Sequence, residues 1–371
     1  MTAKFAAKKF YPNFKQAHAQ IAGIEAIDYF FAKEMVSAVN AGQLDANGQE
    51  VLFHSMLALS ESLREGHTCL PLDVIAGQRF GVASDEDGII SHHGFQFAQG
   101  AELSSLFLSL GLSENDRQPI VYRQNKLYLR RYYRFEQELA AAISQKCQDD
   151  SAYSKSAIRD CLNKLFADGE DNDIDWQHVA VANAINKNFS VIAGGPGTGK
   201  TYTVTKLLAA LVELESVRQQ GLAAENKVLN ISLVAPTGKA AQRLTESIGN
   251  AVARFRGQIS DDVLDAIPDQ AQTIHRLLGV IPDSPNFRHH QDNLLSLDVL
   301  LIDEVSMVDL AMMARIFRAL PTHAKVILLG DADQLPSVSA GSVLADIAPR
   351  PHGGYSRQNR CYLEAVTGIT D

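Results

Sequence analysis

Cysteine is scarce in this chain, with four in 371 residues, and Cys69, Cys147, Cys161 and Cys361 stand at none of the paired spacings of a zinc site. A disulfide scaffold is excluded by the same count, and few, scattered thiols predict a reducing, cytoplasmic setting. Long apolar runs are missing too. Nothing approaches the roughly 20 residues of a membrane span, so no membrane partner is expected. The opening Met1-Thr2-Ala3-Lys4-Phe5 has a lysine but no apolar stretch behind it, unlike a secretory signal. Positive charge is in deficit, with 34 Lys and Arg against 43 Asp and Glu and a net charge of −9. Any nucleic-acid contact must therefore come from a local groove rather than a chain-wide field. The histidine pairs His92-His93 and His289-His290 are adjacent, and neighbouring positions rarely point the same way, so they predict no metal site.

Apolar material is plentiful. At 46% hydrophobic residues the chain can bury a substantial core, and its length suits two or three domains. Up to about residue 165 the pattern is mostly helical, with amphipathic stretches at 23–41, 49–64 and 130–143 and a hairpin over 120–129 turning at Gln124-Asn125. The acidic cluster 168–173 reads as a boundary loop. From 166 to 371 short apolar runs at 189–193, 231–235, 299–302 and 325–329 alternate with helical stretches at 177–186, 201–214 and 238–251. That alternation predicts an α/β fold, a parallel sheet with ligands at its carboxyl edge, preceded by a helical N-terminal domain. Residues 215–228 and 283–293 are polar and read as irregular surface insertions.

Between the first strand and its helix lies Gly194-Gly195-Pro196-Gly197-Thr198-Gly199-Lys200-Thr201, the G-x-x-x-x-G-K-[ST] phosphate loop. Glycines let backbone N–H groups turn inward around phosphates, and the helix N-terminus adds partial positive charge. Lys200 supplies a charge for the β- and γ-phosphates of ATP, and the Thr201 hydroxyl suits Mg²⁺. The third strand ends in Asp303-Glu304. Asp303 is placed to bind the metal and Glu304 to activate the attacking water. The fourth strand ends in Gly330-Asp331-Ala332-Asp333-Gln334, where Gln334 can touch both γ-phosphate and water; a plain turn explains the same residues. Gln177, a helix before the loop, carries an amide that can pair with both edges of adenine.

These segments, with Ala235-Pro236-Thr237-Gly238-Lys239-Ala240-Ala241 and Thr273-Ile274-His275-Arg276-Leu277-Leu278-Gly279, occur in the order of superfamily 1 helicase motifs. Together with Asp303-Glu304-Val305-Ser306-Met307 they resemble the RecD family, the alpha subunits of RecBCD (exonuclease V) complexes. The N-terminal region, with Gly66-His67-Thr68-Cys69-Leu70-Pro71-Leu72, is similar to that family's partner-binding domain. The resemblance implies a RecA-like, ATP-driven motor moving 5′→3′ on single-stranded DNA, with RecB-like and RecC-like partners in double-strand break repair and recombination. It implies strand contacts at Pro236, Thr237, Lys239, Thr273 and His275, which read alone are ordinary helix-start and loop residues.

One departure from the family pattern is large. No second strand–helix series follows Gly330, and Arg350, Arg357 and Arg360 match no arginine motif of the family. The expectation is a motor-incomplete chain that binds nucleotide, hydrolyses it weakly and does not translocate alone. A nucleotide-binding assembly module and a phosphate-loop kinase are the other classes considered. The sequence shows no nuclease carboxylate cluster. An aromatic–basic patch, from Tyr122 through Arg130 and Arg131 to Arg134, suits either stacking on DNA or a hairpin and helix whose tyrosines pack while the arginines face solvent or a partner; the second is preferred.

Overall fold

The four apolar runs after residue 188 do form one parallel sheet, and a fifth strand too short to show in the sequence joins its edge. A computed structural model describes residues 11–39, 44–113, 117–148, 152–166, 174–195, 197–222, 228–331, 340–348 and 353–369. The chain divides into two units, Met1–Gln137 with Val338–Gly341, and Glu138–Ser337 with Ser342–Asp371. No helix among the described residues is long and apolar enough to cross a membrane.

The first unit holds α1 (Phe14–Gln20), α2 (Ala26–Ala38), α3 (Ala46–Arg64), β1 (Cys69–Pro71), α4 (Leu72–Ile75), β2 (Arg79–Ser84), β3 (Ile90–Gln96), α5 (Gly100–Ser109), β4 (Ile120–Arg123) and β5 (Lys126–Leu129). Helix α3 is its centre. Leu52, Phe53, Met56, Leu57 and Leu59 are almost wholly buried, and over residues 51–60 the helix is buried on every side. Strands β1, β5 and β4 form an antiparallel sheet, and Gln124 and Asn125 turn it with φ of +49° and +60°. Two left-handed residues in succession make the tight turn the hairpin needs. Strands β2 and β3 form a second hairpin that alternation did not reveal, because most of its residues are exposed or half-buried.

The buried charged and ring groups of this unit are paired, whereas Gln118 Oε1 is buried without a hydrogen-bond partner among the described residues. Asp28 is fully buried and accepts from Ser60 Oγ at 2.6 Å, Glu25 N at 2.7 Å and the Arg64 guanidinium at 2.9–3.1 Å. His54, also fully buried, stacks on Phe95 at 3.7 Å, bonds the Tyr11 hydroxyl at 3.1 Å and lies 2.8 Å from the Glu50 carbonyl. Burial pushes the His54 pKa down to about 4, although its bond to the Glu50 backbone opposes this. Arg130, expected at the surface, is buried and donates to the carbonyls of Gln118, Ser113 and Ile120. Tyr128 and Tyr133 pack edge to face at 5.4 Å, whereas Arg123, Arg131 and Arg134 of the aromatic–basic patch are exposed, with Arg131 lying over half-buried Tyr132.

The division between units falls at Gln137/Glu138, inside α6 (Arg130–Gln148), rather than near 165. The reason is α7 (Lys155–Leu165): its buried face of Ile158, Cys161, Leu162 and Leu165 joins the second core. There follow α8 (Trp176–Asn186), β6 (Phe189–Ala193), α9 (Lys200–Leu222), β7 (Ile231–Ala235), α10 (Gly238–Phe255), α11 (Asp261–Asp265), β8 (Gln272–Thr273) and α12 (Ile274–Leu278). The unit continues with β9 (Val299–Ile302), a 3₁₀ turn at Val305–Met307, α13 (Leu310–Ala319), β10 (Lys325–Gly330), α14 (Val343–Ile347) and α15 (Arg357–Thr367). Sheet order is β6-β10-β9-β7-β8.

Helix α9 runs on to Leu222, through what the sequence suggested was the start of an insertion. Arg218 and Gln219 reach back to the buried Glu215 at 2.7–3.0 Å, and the Tyr153 hydroxyl donates to it at 3.2 Å. These pairs at helical spacing hold the polar stretch in register. At the amino end of inner strand β10, the Lys325 ammonium donates to the carbonyls of Ala184, Ile185 and Lys187 at the end of α8. Burial, then the charge of Lys146, pulls the Lys325 pKa down to about 7.

Candidate functional site

Register fixes which loops meet. Ala193 pairs with Gly330, Leu328 with Ile302, Ile302 with Val234, and Ala235 with Thr273. The carboxyl ends of all five strands therefore lie along one edge of the sheet. In spatial order that edge carries the glycine loop, Gly330-Asp331, Asp303-Glu304, Pro236-Thr237 and Thr273. Sequence motifs separated by more than a hundred residues become neighbours because β10 inserts between β6 and β9.

The glycine loop leaves β6 and enters α9 as the motif requires. Gly197 and Gly199 have φ of +76° and +77°. At Gly199 the positive φ strains any side chain, and a Cβ, 2.7 Å from Gln177 Nε2, would also displace the flexible Gln177 amide. Thr198 Oγ1 donates to the Gly195 carbonyl at 2.9 Å, and Gly194 N donates to Gly330 O at 3.2 Å. The Lys200 ammonium donates to the carbonyls of Gly194 and Gly195, so it lies within the curl of its own loop. Thr201 follows in the first turn of α9. Pro196 and Gln334 lie outside the described residues.

Gln177 is brought to this loop and donates to Thr198 O at 3.4 Å. Asp175 caps α8 by accepting from Gln177 N and His178 N, which fixes the first turn. Beneath it His178 stacks on Phe166 at 4.5 Å, and Lys206 of α9 sits 3.9 Å from the same ring. An anchored first turn aims Gln177 across the loop.

At the tip of β9, Asp303 N donates to Val234 O at 2.9 Å, and Asp303 Oδ1 accepts from Glu304 N at 2.9 Å. Glu304 is left-handed, with φ of +52°. For a residue with a Cβ this conformation costs about 1 kcal/mol, and such strain concentrates at working sites. Burial raises the Asp303 carboxyl above the usual range; the Glu304 N–H opposes that, Glu304 repulsion adds to it, and Lys200 offsets part. Asp303 and Lys200 are thus close enough to feel each other's charge. Among the described residues no group of three or more His, Cys, Asp and Glu could hold a metal. The hard oxygens of Asp303 and Thr201 suit Mg²⁺ only in company with phosphate and water, as Mg²⁺ prefers.

On the far half of the edge, Thr237 caps α10 by accepting from Ala240 N at 3.2 Å, and Thr273 caps α12 by accepting from Arg276 N at 3.2 Å. Each hydroxyl keeps its own hydrogen to donate. Thr237, Lys239 and His275 are exposed, and Pro236 and Thr273 half-buried. Phe287 and Arg315 gather beside His275: the imidazole meets the Phe287 ring at 5.8 Å and 62°, and the Arg315 guanidinium lies 5.4 Å from it. Sequence reading missed both. The one available signal was an aromatic residue in an otherwise polar segment.

Residues 21–128 match the family described as RecBCD enzyme subunit RecD, N-terminal domain, and residues 177–340 match an AAA domain. The chain is 43% identical over 258 residues to RecBCD enzyme subunit RecD of Haemophilus influenzae, covering 68% of this chain and 39% of that protein. It is 42% identical over 228 residues to its counterpart in Mycolicibacterium smegmatis, covering 60% and 37%. It is 35% identical over 241 residues to the ATP-dependent RecD2 DNA helicase of Deinococcus radiodurans, covering 61% and 26%. The chain thus spans about two fifths or less of the length of these relatives.

Proposed function

We propose that this chain, with its RecD N-terminal domain match, its AAA domain match and its RecD relatives, is the ATP-binding and strand-binding part of a 5′→3′ DNA helicase subunit of a cytoplasmic recombination and repair complex. The observation that carries the reading is the shared sheet edge. The glycine loop and the acidic pair flank β10, and the strand-contact segments follow immediately on β7 and β8. ATP sits at one end of that edge and single-stranded DNA at the other, with Asp303-Glu304 between them.

Within it, backbone N–H groups of Gly194 to Thr201 cradle the phosphates, and Gln177 reads adenine with its amide. Lys200 leaves its loop carbonyls to meet the β- and γ-phosphates. Thr201 and Asp303 would hold Mg²⁺, which when bound would supply positive charge against the phosphates. Glu304 takes the proton of the attacking water, and Gln334 orients that water. Pro236 packs on the strand, Thr237, Lys239 and Thr273 meet its phosphates, and His275 meets a base or the backbone. RecB-like and RecC-like subunits are the partners, and the first unit offers the surface for them.

The test is ATP hydrolysis by the purified chain with and without single-stranded DNA. DNA stimulation supports a motor part. ATP binding without any response to DNA overturns it in favour of a nucleotide-binding assembly module.

A further inference from the structure

Residues 279–293, which the sequence suggested were largely an irregular insertion, close on themselves. Val280 and Phe287 form an antiparallel bridge. Arg288 N donates to Gly279 O at 2.8 Å, His289 N to Leu278 O at 2.9 Å, and Asn293 Nδ2 to Arg288 O at 2.8 Å. Gly279 makes the closure feasible: its φ is +73°, and a Cβ would come within 3.0 Å of Arg288 Cβ. The loop is therefore a built element that delivers one large side chain, Phe287, to a defined place.

That place is beside two groups from different helices: His275 of α12, tilted against the ring, and Arg315 of α13, over it. An aromatic ring presents a positive edge and a negative face, so an imidazole at a tilted angle and a guanidinium over the ring are both attracted. Helix α13 starts from Asp309, whose side chain caps it by accepting from Met312 N at 2.7 Å, and the 3₁₀ turn between Glu304 and Asp309 joins it to the acidic pair. His275 is exposed, and among the described residues its ring makes no hydrogen bond. Phe287 supplies the contact that limits its rotation.

We propose that Phe287 is a positioning residue for single-stranded nucleic acid: clamped by Arg315, it holds His275 in the orientation that meets the strand. The proposal rests on the strand-binding reading of Thr273 and His275. Leucine at position 287 fills similar space but has no quadrupole, whereas tyrosine keeps it.

The test uses the 371-residue chain and a fluorescein-labelled oligothymidylate read by anisotropy, with ATP affinity measured alongside. Phe287→Leu is expected to weaken oligonucleotide binding about fivefold, the value of one aromatic–cation or aromatic–aromatic contact. Phe287→Tyr should restore it, and ATP affinity should stay unchanged in both. Because Phe287 acts through His275, Phe287→Leu should cost nothing further in a His275→Ala background. Additive losses, or unchanged binding in Phe287→Leu while His275→Ala weakens it, overturn the proposal alone. Loss of ATP affinity together with oligonucleotide binding overturns it as general damage to the fold. Failure of the unaltered chain to bind oligonucleotide while still binding ATP sinks the strand reading, and the proposal with it.

Discussion

In the N-terminal unit Asp28, His54 and Arg130 are sunk into the interior with partners on every side. In the nucleotide unit Lys200, Asp303, Thr237 and His275 stand at strand ends, half-buried or exposed, with capacity left over. Charged side chains are present in both groups, and Lys325 and Glu215 of the second unit are buried and bonded like Asp28, so what sets the strand-end residues apart is unused bonding capacity. A buried polar group with all its bonds made specifies packing, while a group at a loop with unused lone pairs or hydrogens is available to a ligand.

The sharpest way to break that comparison is Lys200→Ala. ATP turnover in the DNA-stimulated assay is expected to fall about 10³-fold, as for other preorganised charges at phosphate, with an unchanged thermal midpoint by calorimetry. A large loss of stability would place Lys200 with the structural group instead. The mirror experiment is Arg64→Ala, which strips the main counter-charge from a carboxylate with no exposed surface. Stability by urea titration should drop by about 3 to 4 kcal/mol, while ATP affinity of the other unit holds.

His54 sharpens the contrast by pH. Its folded pKa of about 4 lies below the ordinary 6.5, so the unfolded chain takes up the proton first. Stability is full above pH 6.5 and is lost as pH falls from there toward 4, by roughly 3 kcal/mol in all. Thermal midpoints of His54→Leu measured across that window should show a flatter slope than those of the unaltered chain. The smallest effect is expected at Asp303. Its carboxyl is raised, so ionisation works against the fold, and stability falls as pH rises through the carboxylate range. Asp303→Asn should remove that slope and lift the neutral-pH midpoint by about a degree or two, while hydrolysis is lost.

The phosphate loop, its strand and its helix could be read directly from the sequence, because glycine order, a β-branched run and helical spacing are all local signals. Sheet order could not: that β10 lies between β6 and β9 follows from packing of both faces, which no single segment reports. Strand β8 escaped because two residues carry no periodicity. The tail of α9 read as a loop because its stabilising pairs are polar, Glu215 with Arg218 and Gln219. Arg130 looked like surface charge because composition cannot show three carbonyls converging on it.

Lys325 has a consequence beyond its own hydrogen bonds. Its ammonium fastens the last turn of the helix that bears Gln177 to the first residue of the middle strand between glycine loop and acidic pair. With Lys325 at its base and the Asp175 cap and the His178–Phe166 stack at its first turn, the helix is a beam pinned at both ends, so the amide of Gln177 is held at a set height over the glycine loop.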